Sequence, residues 1–152
     1  MGNEKGRIVA ISTSKKKGVP KTNVTKAKLV ENFGIEGDAH AGAWHRQVSL
    51  LALESIEKMK LLGLSKLKPG IFAENLTTEF LILPVLKIGT RIKVGLEAEL
   101  EITQIGKECH SHCAIYNKAG DCIMPKEGIF ARVIKSGEIF PGDEVVILNG
   151  LI

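Results

Sequence analysis

The feature that most restricts this fold is a run of short alternating segments, each cut off by a turn, in the second half of the chain. In Ala98–Ile105, Leu100, Ile102 and Gln104 alternate with Glu99, Glu101 and Thr103, the two-residue period of a strand with one buried face. Arg91–Val94 precedes it across Gly95, and residues 81–85 lie one turn earlier, before Gly89 and Thr90. Pro141, Gly142 and Asp143 turn the chain into a last strand over residues 144–148. Closely spaced strands separated by turn signals are the sequence form of a sandwich or barrel. The first half adds expected strands over residues 6–12, 25–32 and 46–51.

Two helices are predicted among them. Residues 53–62 carry Leu53, Ile56 and Met59 on one face and Glu54, Glu57 and Lys58 on the other, with Gly63 placed to end the helix. Residues 127–136 follow Pro125 and precede Gly137, with Ile129, Phe130 and Val133 as an apolar face. The expectation is a single mostly-β domain over residues 1–152 with two or three short helices. The basic strand and loop of residues 1–30 are part of it. At 152 residues, 44% hydrophobic and 25% charged, the chain can bury a continuous core.

All three cysteines, Cys109, Cys113 and Cys122, fall within 14 consecutive positions that also hold His110 and His112. A thiol reacts as its thiolate, which cationic neighbours stabilise. His110, His112, Lys107 and Arg132 supply such neighbours. Three chemistries can use the cluster. Structural zinc wants four ligands, usually split into two pairs, and the second pair would have to come from His40 and His45. A redox disulfide is disfavoured by the three-residue spacing between Cys109 and Cys113. A single reactive thiol that accepts sulfur or ligates a soft metal is the third. Buried, inert cysteines in a β core are the plain alternative, though the polar neighbours make poor core.

A second concentration spans residues 36–47. There Asp38 and His40 can form a carboxylate–imidazole pair, and His45 with Arg46 can grip an anion. The competing reading is a glycine-rich loop that satisfies its own backbone. Glu74 and Asn75, set inside an apolar run, either line a pocket or hydrogen-bond locally.

Charge is uneven. Residues 1–30 hold 8 Lys and Arg against Glu4 alone, a net of +7, and the remainder holds 13 against 16. A basic arm of this kind meets an anionic ligand or an acidic partner, or is a solvated loop. No aromatic residue accompanies its lysines before Phe33, which argues against nucleic acid. Apolar runs fall far short of the roughly 20 residues of a membrane span, and no signal peptide is apparent. The odd cysteine count then points to free thiols in the cytoplasm.

The segments at residues 34–42, 45–51, 69–78, 105–110, 120–125 and 128–132 together resemble the MOSC domain, related to the C-terminal domain of molybdenum cofactor sulfurases. The resemblance runs along nearly the whole chain and is similar to small stand-alone prokaryotic members. It implies a β-barrel-like fold with short helices and a pocket cysteine that carries a persulfide or ligates molybdenum. Cys113, followed by Ala114 and Ile115, sits best on that position. Its spacing from Cys109 departs by one residue from the Cys-x-x-Cys pattern, so Cys109 and Cys122 stay open as the working thiol. The expected ligand is the molybdenum cofactor (molybdopterin) or a precursor. Lys21, His45, Arg46 and Lys107 would hold its phosphate, Glu74 and Asn75 would meet the pterin edge, and Asp38, His40 and Cys122 would complete the pocket. No room for a pyridoxal-phosphate desulfurase is seen, so a separate cysteine desulfurase and a molybdoenzyme are expected partners. A sulfurtransferase, a non-catalytic cofactor carrier, a molybdenum-dependent reductase of N-oxygenated compounds and a zinc-binding structural module remain the competing functions.

Overall fold

The alternating segments pair edge to edge until the sheet closes on itself. A computed structural model describes residues 5–61, 67–106 and 127–149. Its strands are β1 (Lys5–Thr13), β2 (Thr22–Val24), β3 (Ala27–Val30), β4 (Gly34–Ile35), β5 (Val48–Ala52), β6 (Leu76–Glu79), β7 (Arg91–Val94), β8 (Ala98–Ile105), β9 (Ile129–Lys135), β10 (Gly137–Ile139) and β11 (Glu144–Asn149). Seven of them run in the order β11-β7-β8-β9-β5-β6-β1, and β11 pairs back onto β1 to close a barrel. Closure removes the unpaired edges an open sheet would expose. β2 extends β1 as a hairpin arm, and β10, β3 and β4 form a small second sheet.

The two-residue period decides which side chains enter the barrel. In β9, Ile129, Ala131 and Val133 join Leu100 and Ile102 of β8 and Val48 and Leu50 of β5 in the main core. Phe130 faces outward, into a second cluster with Leu51, Phe72 and the helix residues Ile56 and Met59. That helix, α1 (Leu53–Leu61), forms where residues 53–62 predict it. Ile56 and Met59 lie three apart on its buried side, and Lys58 and Lys60 in its last turn complement the negative end of the helix dipole. It bridges β5 and β6, which run parallel and therefore need a crossover.

The second predicted helix is not found over residues 129–135. Residues 129–135 are strand β9, paired antiparallel to both β8 and β5. Ile129, Ala131 and Val133 are buried on one face and Phe130 on the other, so Ile129, Phe130 and Val133 fit a helical stripe as well as a strand. The β-branched side chains and two waiting sheet edges select the strand. Residues 81–85 likewise are not a strand: Leu83–Val85 is a 3-10 turn. Pro84 fixes its own φ and donates no N–H to a ladder. Among the described residues the other helical positions are those of that turn and Glu127.

Candidate functional site

A buried ion pair organises the glycine-rich loop. Lys21 and Asp38 both have side chains at 0% exposure, and Lys21 Nζ donates to Asp38 Oδ1 at 2.8 Å. The same ammonium reaches Ser14 Oγ and His40 Nδ1, each at 3.0 Å. Asp38 also accepts the backbone N–H groups of Ser14 (3.1 Å) and His40 (3.0 Å), which folds residues 38–40 over the end of β1. Burial pushes the Asp38 carboxyl up, but the Lys21 ammonium and the two N–H donors outweigh it and hold the group below its ordinary range. For Lys21, burial wins over the attraction of Asp38 and lowers its pKa.

A second buried carboxylate supports this pair from behind. Glu74 accepts the N–H of Gly70 (2.7 Å), the N–H of Phe72 (3.2 Å) and the hydroxyl of Thr77 (2.7 Å). It shapes a tight turn in which Gly70 has φ +95° and its carbonyl accepts the Lys21 N–H at 2.7 Å. A Cβ on Gly70 would lie 2.5 Å from the Lys21 carbonyl oxygen, so only glycine allows this approach. Burial raises the Glu74 pKa against the pull of its three donors. Asn75 is equally enclosed: it accepts the Ser49 N–H at 2.9 Å and donates to the Ser12 carbonyl at 3.1 Å, tying β1, β5 and β6 together.

In front of the ion pair lies an aromatic and cationic ledge. Trp44 Nε1 donates to the His40 carbonyl (2.8 Å), and its ring lies parallel to the His40 ring, centroids 6.5 Å apart. Arg46 places its guanidinium 4.7 Å from the Trp44 centroid and 5.6 Å from that of Phe130. Lys17 Nζ sits 4.6 Å from the Trp44 centroid. Among the described residues Arg46 has no carboxylate partner, and its Nε is buried without an acceptor. His45 Nε2 meets Gln104 Oε1 at 2.7 Å, and Gln104 donates to the Gly106 carbonyl at 2.7 Å. The N–H of Gly106 donates to the Gly128 carbonyl at 2.7 Å, so the ledge stands where residues 107–126 join the barrel.

The structure therefore brings Lys21, Asp38, His40, His45 and Arg46 together, and it sorts them by role. Lys21 Nζ has three polar neighbours within the fold, Asp38, Ser14 and His40, and Glu74 and Asn75 are at 0% exposure with their polar atoms used internally. Arg132 pairs with Glu101 across β8 and β9, Nη2 to Oε1 at 2.6 Å. Lys107, Cys109, His110, His112, Cys113 and Cys122 lie outside the described residues. Within the described residues no group of three His, Cys, Asp or Glu is placed to hold a metal ion. The sequence reading left Trp44, Lys17, Ser14 and Gln104 without a role. The one tryptophan of the chain, set between His40 and Arg46, was the available signal.

The described residues thus form a closed seven-stranded barrel with a glycine-rich loop braced by a buried ion pair. The chain belongs to the MOSC domain family, whose model matches residues 37–146. That family is associated with the molybdenum cofactor. Similar solved structures include the YUAD protein of Bacillus subtilis, with a TM-score of 0.82 at 18% identity, covering 97% of this chain and 98% of that one. YiiM of Geobacillus stearothermophilus follows at 0.72 and 22% identity, covering 95% and 75%. YiiM of Escherichia coli has a TM-score of 0.67 at 17% identity, covering 95% and 71%. At these identities the likeness is one of fold. No curated protein matches the sequence. No helix among the described residues is long and apolar enough to cross a membrane.

Proposed function

We propose that this protein binds the molybdenum cofactor or a precursor and carries sulfur for it on Cys113. The observation that supports this most is Arg46. It is a cation flanked by Trp44 and Phe130, has no carboxylate partner among the described residues, and keeps a buried Nε without an acceptor. What such a group lacks is an oxyanion, and a guanidinium matches phosphate oxygens two at a time. The cofactor's phosphate supplies them. Arg46 and His45 would hold it directly, with Lys17 adding positive charge at Trp44. Lys21, Asp38, Glu74 and Asn75 stand behind this layer and keep the loop in shape.

The bound cofactor supplies a thiophilic molybdenum centre, and a soft thiolate suits it. The thiolate comes from residues 107–126, which leave the barrel at Gly106, beside Gln104 and His45. In the sulfur-carrying step the Cys113 thiolate attacks the outer sulfur of a persulfide on a separate cysteine desulfurase. A new S–S bond forms on Cys113, the donor's S–S bond breaks, and the donor cysteine leaves as its thiolate. No external oxidant is needed.

The test is intact mass of the protein, measured without reductant after incubation with a desulfurase and cysteine, alongside metal and pterin analysis. The expected result is a gain of one sulfur that reductant removes and Cys113→Ser lacks. A gain unchanged in Cys113→Ser but lost in Cys109→Ser or Cys122→Ser moves the working thiol. Bound molybdenum and pterin with no sulfur gain makes the protein a carrier or reductase. Stoichiometric zinc with neither overturns the proposal.

A further inference from the structure

We infer that Gln104 is a positioning residue that keeps the His45 ring proton on Nε2. His45 then meets an oxyanion through Nδ1 only as the imidazolium, so anion binding at the ledge takes up a proton. The coupling to an anion rests on the anion-binding reading of the ledge, whereas the tautomer rests on the hydrogen bonds alone. Gln104 Nε2 donates to the Gly106 carbonyl at 2.7 Å. A carbonyl only accepts, so the amide cannot be turned round, and the atom set against His45 is Oε1. His45 Nε2 lies 2.7 Å from that oxygen, which carries no proton, so the ring nitrogen is the donor. A neutral imidazole has one N–H, and Nδ1 is left with a lone pair. Strand β8 grips the residue at a second point, where the Thr103 hydroxyl donates to the His45 carbonyl. Gly106 is itself fixed by its N–H, which donates to the Gly128 carbonyl at 2.7 Å.

A lone pair repels an oxyanion, whereas the same nitrogen with a proton donates to it and adds a positive charge. The His45 side chain is exposed, and among the described residues no hydrogen bond or ion pair occupies Nδ1. The charged and titratable groups around it belong to the loop and to strands β8 and β9. Arg46 and Lys17 lie against Trp44, whose ring meets His45 edge-on with centroids 5.9 Å apart. His40 lies parallel to Trp44 and adjoins the Lys21–Asp38 pair. On β8 and β9, Glu101 is held by Arg132. Among the described residues none of these groups makes a hydrogen bond or ion pair with the His45 ring, so Gln104 alone sets its proton. An oxyanion beside Arg46 and Lys17 supplies the negative charge that a third cation there requires. Binding and protonation favour one another by the same factor, because such coupling is reciprocal.

The experiment has two readouts on the intact chain, with inorganic sulfate as the probe because it does not titrate near neutral pH. Imidazole nitrogen NMR at about pH 8, above the ordinary histidine range, reads the tautomer. The His45 signal is identified by its loss in His45→Gln. The expected anion-free spectrum shows a single His45 tautomer with the proton on Nε2 and a bare Nδ1. An Nδ1–H signal or a mixture of tautomers overturns the inference. In Gln104→Leu, or in Gln104→Ala where the first does not fold, a second tautomer should appear. A folded variant with an unchanged His45 spectrum overturns the role of Gln104, and the wild-type spectrum decides where neither folds. Calorimetric titration with sulfate, in buffers of different ionisation heat, should show proton uptake. Sulfate affinity should fall about tenfold between about pH 5.5 and about pH 8, and His45→Gln should remove both effects. Sulfate binding without proton uptake, or with uptake that survives in His45→Gln, overturns the coupling and leaves the anion site standing. Absence of sulfate binding at every pH overturns the anion-binding reading and the coupling with it, and leaves the tautomer result standing.

Discussion

Replacing Asp38 with alanine strips the counter-charge from a lysine whose side chain is 0% exposed. It also orphans the N–H groups of Ser14 and His40, which Asp38 accepts at 3.1 and 3.0 Å. Breaking a buried pair by deleting one partner costs about 3–5 kcal/mol. Each unsatisfied N–H carries a further penalty of about 1–3 kcal/mol where water cannot reach it. The three losses belong to one network and overlap, so about 4 kcal/mol is the expected total. That is a large part of the roughly 5–15 kcal/mol that holds a domain together. At this chain length it corresponds to a fall in Tm of about 8–16 °C. Urea unfolding, followed by Trp44 fluorescence and far-ultraviolet circular dichroism, should show a lower midpoint with an unchanged slope. The effect should also depend on pH with a defined sign. Asp38 has a folded pKa below its ordinary 3.8, so its contribution is complete above that value and disappears as pH falls through the folded one. The gap between wild type and Asp38→Ala should therefore close in acid. A loss below about 1 kcal/mol, or a gap that persists to strongly acid pH, would refute the reading of this pair as the brace of the loop.

Gly70→Ala should destabilise the fold by at least about 2 kcal/mol in thermal melts, since a left-handed φ and a 2.5 Å approach to the Lys21 carbonyl act together. Glu74→Gln turns an amide NH2 towards backbone N–H donors and should cost about 1–3 kcal/mol. Because the folded pKa of Glu74 is raised, its contribution is complete below 4.5 and lost as pH rises through the folded value. The Glu74→Gln deficit should therefore be larger in acid than at neutral pH. Arg46→Met should leave stability within about 1 kcal/mol, because the guanidinium gives up only its aromatic contacts. The same variant should weaken phosphate binding at least tenfold, read by the fluorescence of Trp44, the chain's one tryptophan.

Strands with one dry face were the most legible part of the fold. Arg91–Val94 and Ala98–Ile105 form where alternation places them, because a barrel strand with a wetter outer face keeps a strict two-residue period. Strand β9 was misread as a helix because the barrel core covers one of its faces and α1 with the loop near Phe72 covers the other. That second covering puts Phe130 where the alternation would place a polar residue. Strand β6 was not predicted because its Leu-Thr-Thr-Glu sequence has no period of its own. It exists through parallel pairing with β5 and antiparallel pairing with β1.

For the site, the sequence by itself determined which residue types were available: a thiol cluster, a Gly-Asp-x-His loop, and the His45–Arg46 pair. It also determined the MOSC family, whose model matches residues 37–146. Which of these groups are enclosed in the frame was decided only by tertiary structure. Lys21 lies 17 residues from Asp38 and Glu74 lies 53 from Lys21, yet all three are enclosed together once β1 lies beside β6. Burial turns the same charged side chains that would bind an anion in water into partners for one another. Arg46 lies over Trp44 with no carboxylate partner among the described residues, because burial on the ring replaces an ion pair there.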